Sequence, residues 1–209
     1  MTVIAAAPNG APRARTPRLP PPFPTRTALA LERATWHDLE TTFQRGTMPD
    51  LDGLVGWEFR GINRLPLNDL PLATIVGIKK FAKGFFRAED GRVMGYNCPV
   101  VQNVLDGRWH TKPSDALPKR FGFYAVYPVD ATSCDNNYLH AILLDYGKGG
   151  NARLDPARGL RDYVVQVEPR NPDLLLGKAY YAIGPGRIGG LNFFILERWR
   201  KGAAELRSM

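Results

Sequence analysis

Cysteine and histidine are both scarce in this chain. It has two cysteines, Cys98 and Cys134, and three histidines in 209 residues. No cysteine or histidine has a second one at the spacing of a metal site, so the sequence predicts neither a metal centre nor a cofactor. A disulfide between the two cysteines is one interpretation. Two free thiols in a reducing compartment is the simpler one, and it favours a cytoplasmic protein.

Long apolar runs are also absent. No stretch reaches the roughly 18 residues that a membrane-spanning helix needs. The short apolar stretch VIAAA near the N-terminus has no basic residue before it, which a secretory signal would have. We therefore predict no membrane span and no secretion signal.

Acidic residues are missing from the first 26 positions, which contain four arginines and the segment PRLPPPFP. Such a sequence buries too little apolar surface to offset its ordering entropy, so residues 1–25 are predicted to be a disordered tail. A polyproline ligand for a partner domain is the alternative. Residues 27–209 carry 24 basic and 20 acidic side chains. This mild excess does not require nucleic acid, which we do not expect as a partner.

Strand-forming segments are abundant, above all over residues 121–200. FGFYAVYP, NYLHAILLDY, LRDYVVQVEP, LLLGKAYYAIG and GGLNFFILERW are rich in aromatic and branched residues, and turn-forming residues separate them. Short strands joined by turns, with no helix between them, are typical of an antiparallel meander.

The preceding part of the chain predicts two helices and further strands. Residues 27–44 contain no Gly or Pro and repeat apolar residues at helical spacing, which indicates an N-terminal helix. Residues 54–62 are predicted to be the first strand, and residues 72–83 a short helix. Turn signals at residues 89–91 and 106–107 predict hairpins over 85–97 and 100–112.

Together these segments predict a mainly β fold, in which residues 26–209 form one domain. An open antiparallel sheet of this size would leave two exposed edges, and closure into a barrel removes them. We therefore predict an antiparallel β-barrel of about eight to ten strands, which can enclose one small ligand. Both faces of the strands are apolar, so the sequence does not assign the interior.

The two ends of this region resemble the lipocalin-like, or calycin, barrels. Gly56 and Trp57 lie on the first predicted strand, and Arg198 lies on the last, with Arg200 as an alternate. The segment 39–61 is similar to bacterial lipocalin-like proteins that begin with a short helix and a GxWxG-type strand, although Trp57 here follows Gly56 directly. The resemblance implies that Trp57 closes one barrel end and that Arg198 packs across its ring, while Gly56 has a structural role.

His140 and Asp162 are the candidate groups for proton transfer. His140 lies within an apolar predicted strand, and Asp162 shares strand parity with Val164 and Gln166. A haem-binding barrel would need a histidine, which His110 or His140 could supply. The candidate ligand-binding residues are Trp57, Tyr96, Trp109, Phe123, Tyr124, His140 and Tyr180.

The leading hypothesis from the sequence is a binding protein for a small apolar ligand, such as a lipid or fatty acid. The alternative is an enzyme on the same barrel, an isomerase, cyclase or lyase that uses His140 with Asp162 or Tyr180. A third is an interaction protein that recruits a partner through its tail. The sequence does not indicate the oligomeric state.

Overall fold

The computed structural model describes residues 20–65, 79–183 and 186–205. Eight antiparallel strands form a closed barrel, in which each strand pairs with the next along the chain and the last pairs with the first. The strands are β1 (Trp57–Arg64), β2 (Lys80–Arg87), β3 (Val93–Pro99), β4 (Phe121–Pro128), β5 (Ile142–Asp145), β6 (Leu160–Glu168), β7 (Asn171–Ile183) and β8 (Gly186–Lys201). The predicted mainly β fold and its meander order are confirmed.

In the described residues before β1, the chain forms three α-helices: α1 (Arg26–Arg33), α2 (Trp36–Arg45) and α3 (Leu51–Leu54). The sequence predicted α1 and α2 as one helix. Helix α1 ends at its C-cap, Ala34. The side chain of the next residue, Thr35, accepts a hydrogen bond from the backbone N–H of Asp38. Thr35 is therefore the N-cap of a second helix, because a side-chain acceptor at this position satisfies a free donor of the first turn.

The barrel interior is an apolar cluster to which all eight strands contribute. Its members are Phe59, Phe85, Val93, Tyr124, Val126, Ile142, Leu144, Val164, Leu175, Ala179, Phe194 and Leu196. The alternate residues of β5 to β8 face outwards and pack against Ala28 of α1 and against Leu39 and Phe43 of α2. Side chains alternate across a strand, so a residue that lies between two interior positions of a strand faces outwards.

Two local predictions differ from the structure. Residues 100–105 and 108–112 do not form a hairpin ladder; one isolated bridge joins Val100 to Thr111. This segment instead lies on the outer face of the barrel, where the Trp109 indole donates to the Phe81 carbonyl. Strand β5 begins at Ile142, after the exposed Leu139.

Two other predictions fall largely outside the described residues. These include positions 1–19 of the predicted tail and positions 72–78 of the predicted short helix. Residues 80–83, the end of that predicted helix, form the start of β2.

Four glycines lie directly opposite an aromatic residue on the neighbouring strand, and each aromatic ring covers its glycine. An added Cβ would meet the opposing ring at 2.0 to 2.4 Å in every case. The pairs are Gly61 with Phe81, Gly84 with Tyr96, Gly95 with Tyr124, and Gly177 with Phe194. Only a residue without a side chain leaves room for a ring in this position.

Candidate functional site

A lysine lies inside the apolar barrel. Lys83 on β2 is two residues before the interior Phe85 and shares its face. Its side chain is 3 % exposed. A lysine is almost never buried to this extent unless it is paired, so its partners define the site.

Three acceptors surround the Lys83 ammonium. Its Nζ donates to Asp162 Oδ2 at 3.0 Å, to Asn97 Oδ1 at 3.0 Å and to the Tyr146 hydroxyl at 2.5 Å. Tyr146 in turn donates to Asp162 Oδ2 at 3.2 Å. The Asn97 amide donates to the Tyr146 hydroxyl and to the Gly122 carbonyl. We call Lys83, Asn97, Tyr146 and Asp162 the interior cluster.

The register of four strands brings these groups together. Asn97 is opposite Lys83 in the β2–β3 ladder. Tyr146 follows the last residue of β5, and Asp162 is opposite Leu144 in the β5–β6 ladder. Lys83, Asn97 and Asp162 share parity with interior apolar residues of their own strands, so strand geometry directs these three inwards. Tyr146 opens the short 3-10 turn that follows β5, and its buried ring packs in the apolar cluster of the barrel interior.

Only one oxygen of the Asp162 carboxylate accepts hydrogen bonds from the described residues. Both of its hydrogen bonds fall on Oδ2, and no described residue donates to Oδ1. Asp162 is 4 % exposed. A carboxylate oxygen accepts up to two hydrogen bonds, so Oδ1 has unused acceptor capacity towards the described residues.

Aromatic rings enclose the ammonium. Lys83 Nζ lies 4.7 Å from the ring centroid of Tyr124 and 5.1 Å from that of Tyr146, and the rings of Phe81 and Phe194 lie at 5.6 and 5.4 Å. Rings within about 6 Å stabilise a cation through their quadrupoles. The interior cluster is therefore a small group of polar side chains surrounded by aromatic rings.

Burial changes the acid–base properties of the cluster. Burial lowers the pKa of Lys83, and the Asp162 carboxylate opposes this effect. Burial raises the pKa of Tyr146 well above its ordinary value, and the neighbouring Asp162 raises it further. Tyr146 therefore keeps its proton at neutral pH and acts as a donor to Asp162. Chemically, the arrangement can bind a polar group or hold and move one proton.

Two of the residues predicted from the sequence face the interior near this cluster. Asp162 is a member of it, and the ring of Tyr124 packs against Lys83. The others lie elsewhere. Tyr96, Trp109 and Phe123 pack together on the outer face of β2 to β4.

His140 and Tyr180 also lie outside the barrel. A His140 ring nitrogen is 3.2 Å from the Phe43 carbonyl at the end of α2. The Tyr180 hydroxyl is 2.5 Å from that of Tyr138, in the apolar cluster beneath the helices. This placement separates both residues from the interior cluster.

Sequence reasoning missed Lys83, Asn97 and Tyr146. Lys83 was assigned to a helix, which hid its strand parity with Phe85. The available signal was the alternation of Phe81, Lys83 and Phe85 in KFAKGFF, where one lysine interrupts an aromatic face.

Trp57 begins β1, and Arg198 lies three residues before the end of β8, the strand that pairs with β1. The Arg198 guanidinium carbon lies 4.7 Å from the Trp57 ring centroid. The guanidinium donates hydrogen bonds to the backbone carbonyls of Gly53 and Pro172 and to the Asp173 carboxylate. Gly56 precedes Trp57 with a φ of 76°, a left-handed conformation that favours glycine. A cleft of about 160 Å³ beside Arg198 is smaller than the 300 Å³ or more of a typical ligand pocket.

Replacing Arg198 with alanine should reduce the free energy of unfolding by about 2 kcal/mol, because two backbone carbonyls lose a charged donor and the Trp57 ring keeps only one of its two cations, Lys201. Urea unfolding followed by circular dichroism measures this change. Arg92→Ala is the matched control, since the Arg92–Asp90 pair is exposed to solvent and its loss should leave the unfolding midpoint nearly unchanged. Equal midpoints for the two variants would contradict the proposed role of Arg198.

Among the described residues, no three His, Cys, Asp or Glu side chains gather closely enough to hold a metal ion. In the same part of the chain, no helix is both long and apolar enough to cross a membrane. Comparison of this chain with family models, with curated proteins and with solved structures gives no match.

Proposed function

We propose that this protein binds a small, largely apolar molecule inside its barrel, with the interior cluster as the polar anchor. The observation that carries the proposal is the Oδ1 of Asp162, to which no described residue donates, on a side chain that is 4 % exposed and lies in a largely apolar interior. Binding sites for small molecules combine an apolar lining with a few polar groups that fix orientation. A bound polar group would give Oδ1 the partner that no described residue supplies.

We also propose that the barrel is of the lipocalin-like, or calycin, class. The support comes from three features: the closed eight-strand meander, the helix α3 directly before β1, and the contact between Trp57 and Arg198. The two cysteines are both free, with Cys98 buried, which supports the proposal of a cytoplasmic protein.

Native mass spectrometry of the purified full chain tests the proposal. We expect a bound species that solvent extraction releases, or binding of one equivalent of the neutral dye Nile red to protein prepared without ligand. The control is Phe194→Trp, which enlarges an interior ring beside Lys83 and should reduce dye binding at least tenfold. A folded protein that carries no ligand and binds no dye would contradict the proposal.

A second candidate function is catalysis of proton transfer in the same interior. Asp162 can accept a proton at Oδ1, while Tyr146 and Lys83 hold donors against its other oxygen. This assignment replaces His140 and Tyr180, which lie outside the barrel. If the extracted molecule is turned over, Asp162→Asn should abolish turnover and His140→Ala should preserve it.

A further inference from the structure

We infer that the interior site selects uncharged molecules that carry a hydroxyl group, such as alcohols and phenols, and rejects carboxylates of the same size. The inference rests on the proposed function and names the ligand class. It excludes free fatty acids, which an apolar barrel alone would accept.

The interior cluster carries no net charge. Lys83 and Asp162 are one potential cation and one potential anion, 3.0 Å apart. Their summed charge is zero whether the proton lies on Nζ or on the carboxylate. A carboxylate ligand would therefore bring an uncompensated charge into an apolar interior and place it near Asp162, and both effects oppose binding.

The hydrogen bonds of the interior cluster also favour an uncharged donor as the ligand group. All three N–H groups of Lys83 already have acceptors, and the hydroxyl of Tyr146 donates to Asp162. Both donors of the Asn97 amide have acceptors as well. The cluster has no spare donor for an anion among the described residues, whereas Asp162 Oδ1 is a spare acceptor. The complementary ligand group is a donor, and a hydroxyl is an uncharged one.

The position of the carboxylate makes this selectivity reversible by one substitution. Asp162→Asn keeps the size of the side chain and removes the negative charge, so Lys83 becomes an uncompensated buried cation. The same substitution puts an amide donor close to where Oδ1 was. The variant is therefore expected to prefer carboxylates over alcohols.

The test is isothermal titration with a matched pair of probes, 2-naphthol and 2-naphthoate, at pH 7. For the wild-type protein we expect naphthol to bind at least 100-fold more tightly than naphthoate. For Asp162→Asn the preference should shift by at least 100-fold towards naphthoate. Asp145→Asn is the control, because Asp145 is also buried but faces outwards, against Tyr127 and Arg161. Its probe preference should equal that of the wild type.

The outcomes separate this inference from the proposed function. Naphthoate binding to the wild type as tightly as naphthol would overturn the selectivity and leave the interior site in place. Binding of neither probe nor of Nile red to the folded wild type would overturn the proposed function and this inference with it. If Asp162→Asn does not fold, the wild-type comparison decides alone, because it requires no substitution.

Discussion

Replacing Lys83 with methionine is expected to lower the free energy of unfolding by about 3 to 5 kcal/mol. Methionine fills a similar volume, so the loss comes from electrostatics rather than from a cavity. The substitution leaves the Asp162 carboxylate 4 % exposed without its cation and takes a donor from Tyr146 and Asn97. Urea unfolding monitored by circular dichroism measures the effect.

The double variant Lys83→Met/Asp162→Leu is the informative control for this prediction. A buried ion pair replaced as a whole by apolar residues is often neutral in stability, whereas removal of one partner is not. The double variant should therefore recover most of the stability that the single variant loses. A single variant as stable as the wild type would show that Asp162 is not held by Lys83 as a buried carboxylate.

Substitution of Gly95 by alanine is expected to cost about 3 to 4 kcal/mol. The new Cβ would lie 2.1 Å from the Tyr124 ring and 2.7 Å from the Gly84 carbonyl oxygen. The ring has little freedom to move, because its hydroxyl donates to the carbonyls of Gly84 and Tyr96. Overpacking and the loss of a buried hydrogen bond therefore add together.

Gly53→Ala is the matched control for this substitution. Gly53 lies in α3, and an added Cβ would meet only the flexible Asp50 side chain, at 3.2 Å. Since alanine favours a helix over glycine, this variant should be as stable as the wild type or slightly more stable. The double variant Gly95→Ala/Tyr124→Leu should recover part of the loss. A thermal midpoint for Gly95→Ala equal to that of Gly53→Ala would contradict the steric argument.

The fold could be predicted from the sequence because strand signals are local. Aromatic and branched residues between turn-forming residues are sufficient to indicate the meander over residues 121–200. An open sheet would leave two exposed edges, which favours closure into a barrel. The break between α1 and α2 was also visible in the sequence. Thr35 and Asp38 stand at the spacing of an N-cap, a local signal that the prediction of one helix over residues 27–44 did not use.

The candidate site was harder to predict, because it depends on which strand face becomes the interior. Parity grouped Asp162 with Val164 and grouped Tyr146 with Leu144, yet both strand faces were apolar and neither could be chosen. The helices decide the question by covering the outer face of β5 to β8, and that docking is a tertiary event. His140 was misplaced for a related reason, since β5 begins two residues after it.

The pairing of β8 with both β1 and β7 determines when this protein can complete its fold during synthesis. Residues 193 and 64 are opposite one another at the seam, and the seam extends to Lys201 opposite Trp57. Contacts between residues so distant in sequence form slowly, because a long loop must be closed before they contribute. The barrel also cannot close until the last strand has left the ribosome. Until then Phe59, Phe85 and Tyr124 lack the β8 residues that complete their apolar cluster, and exposed apolar surface of this kind makes an incomplete chain prone to aggregation.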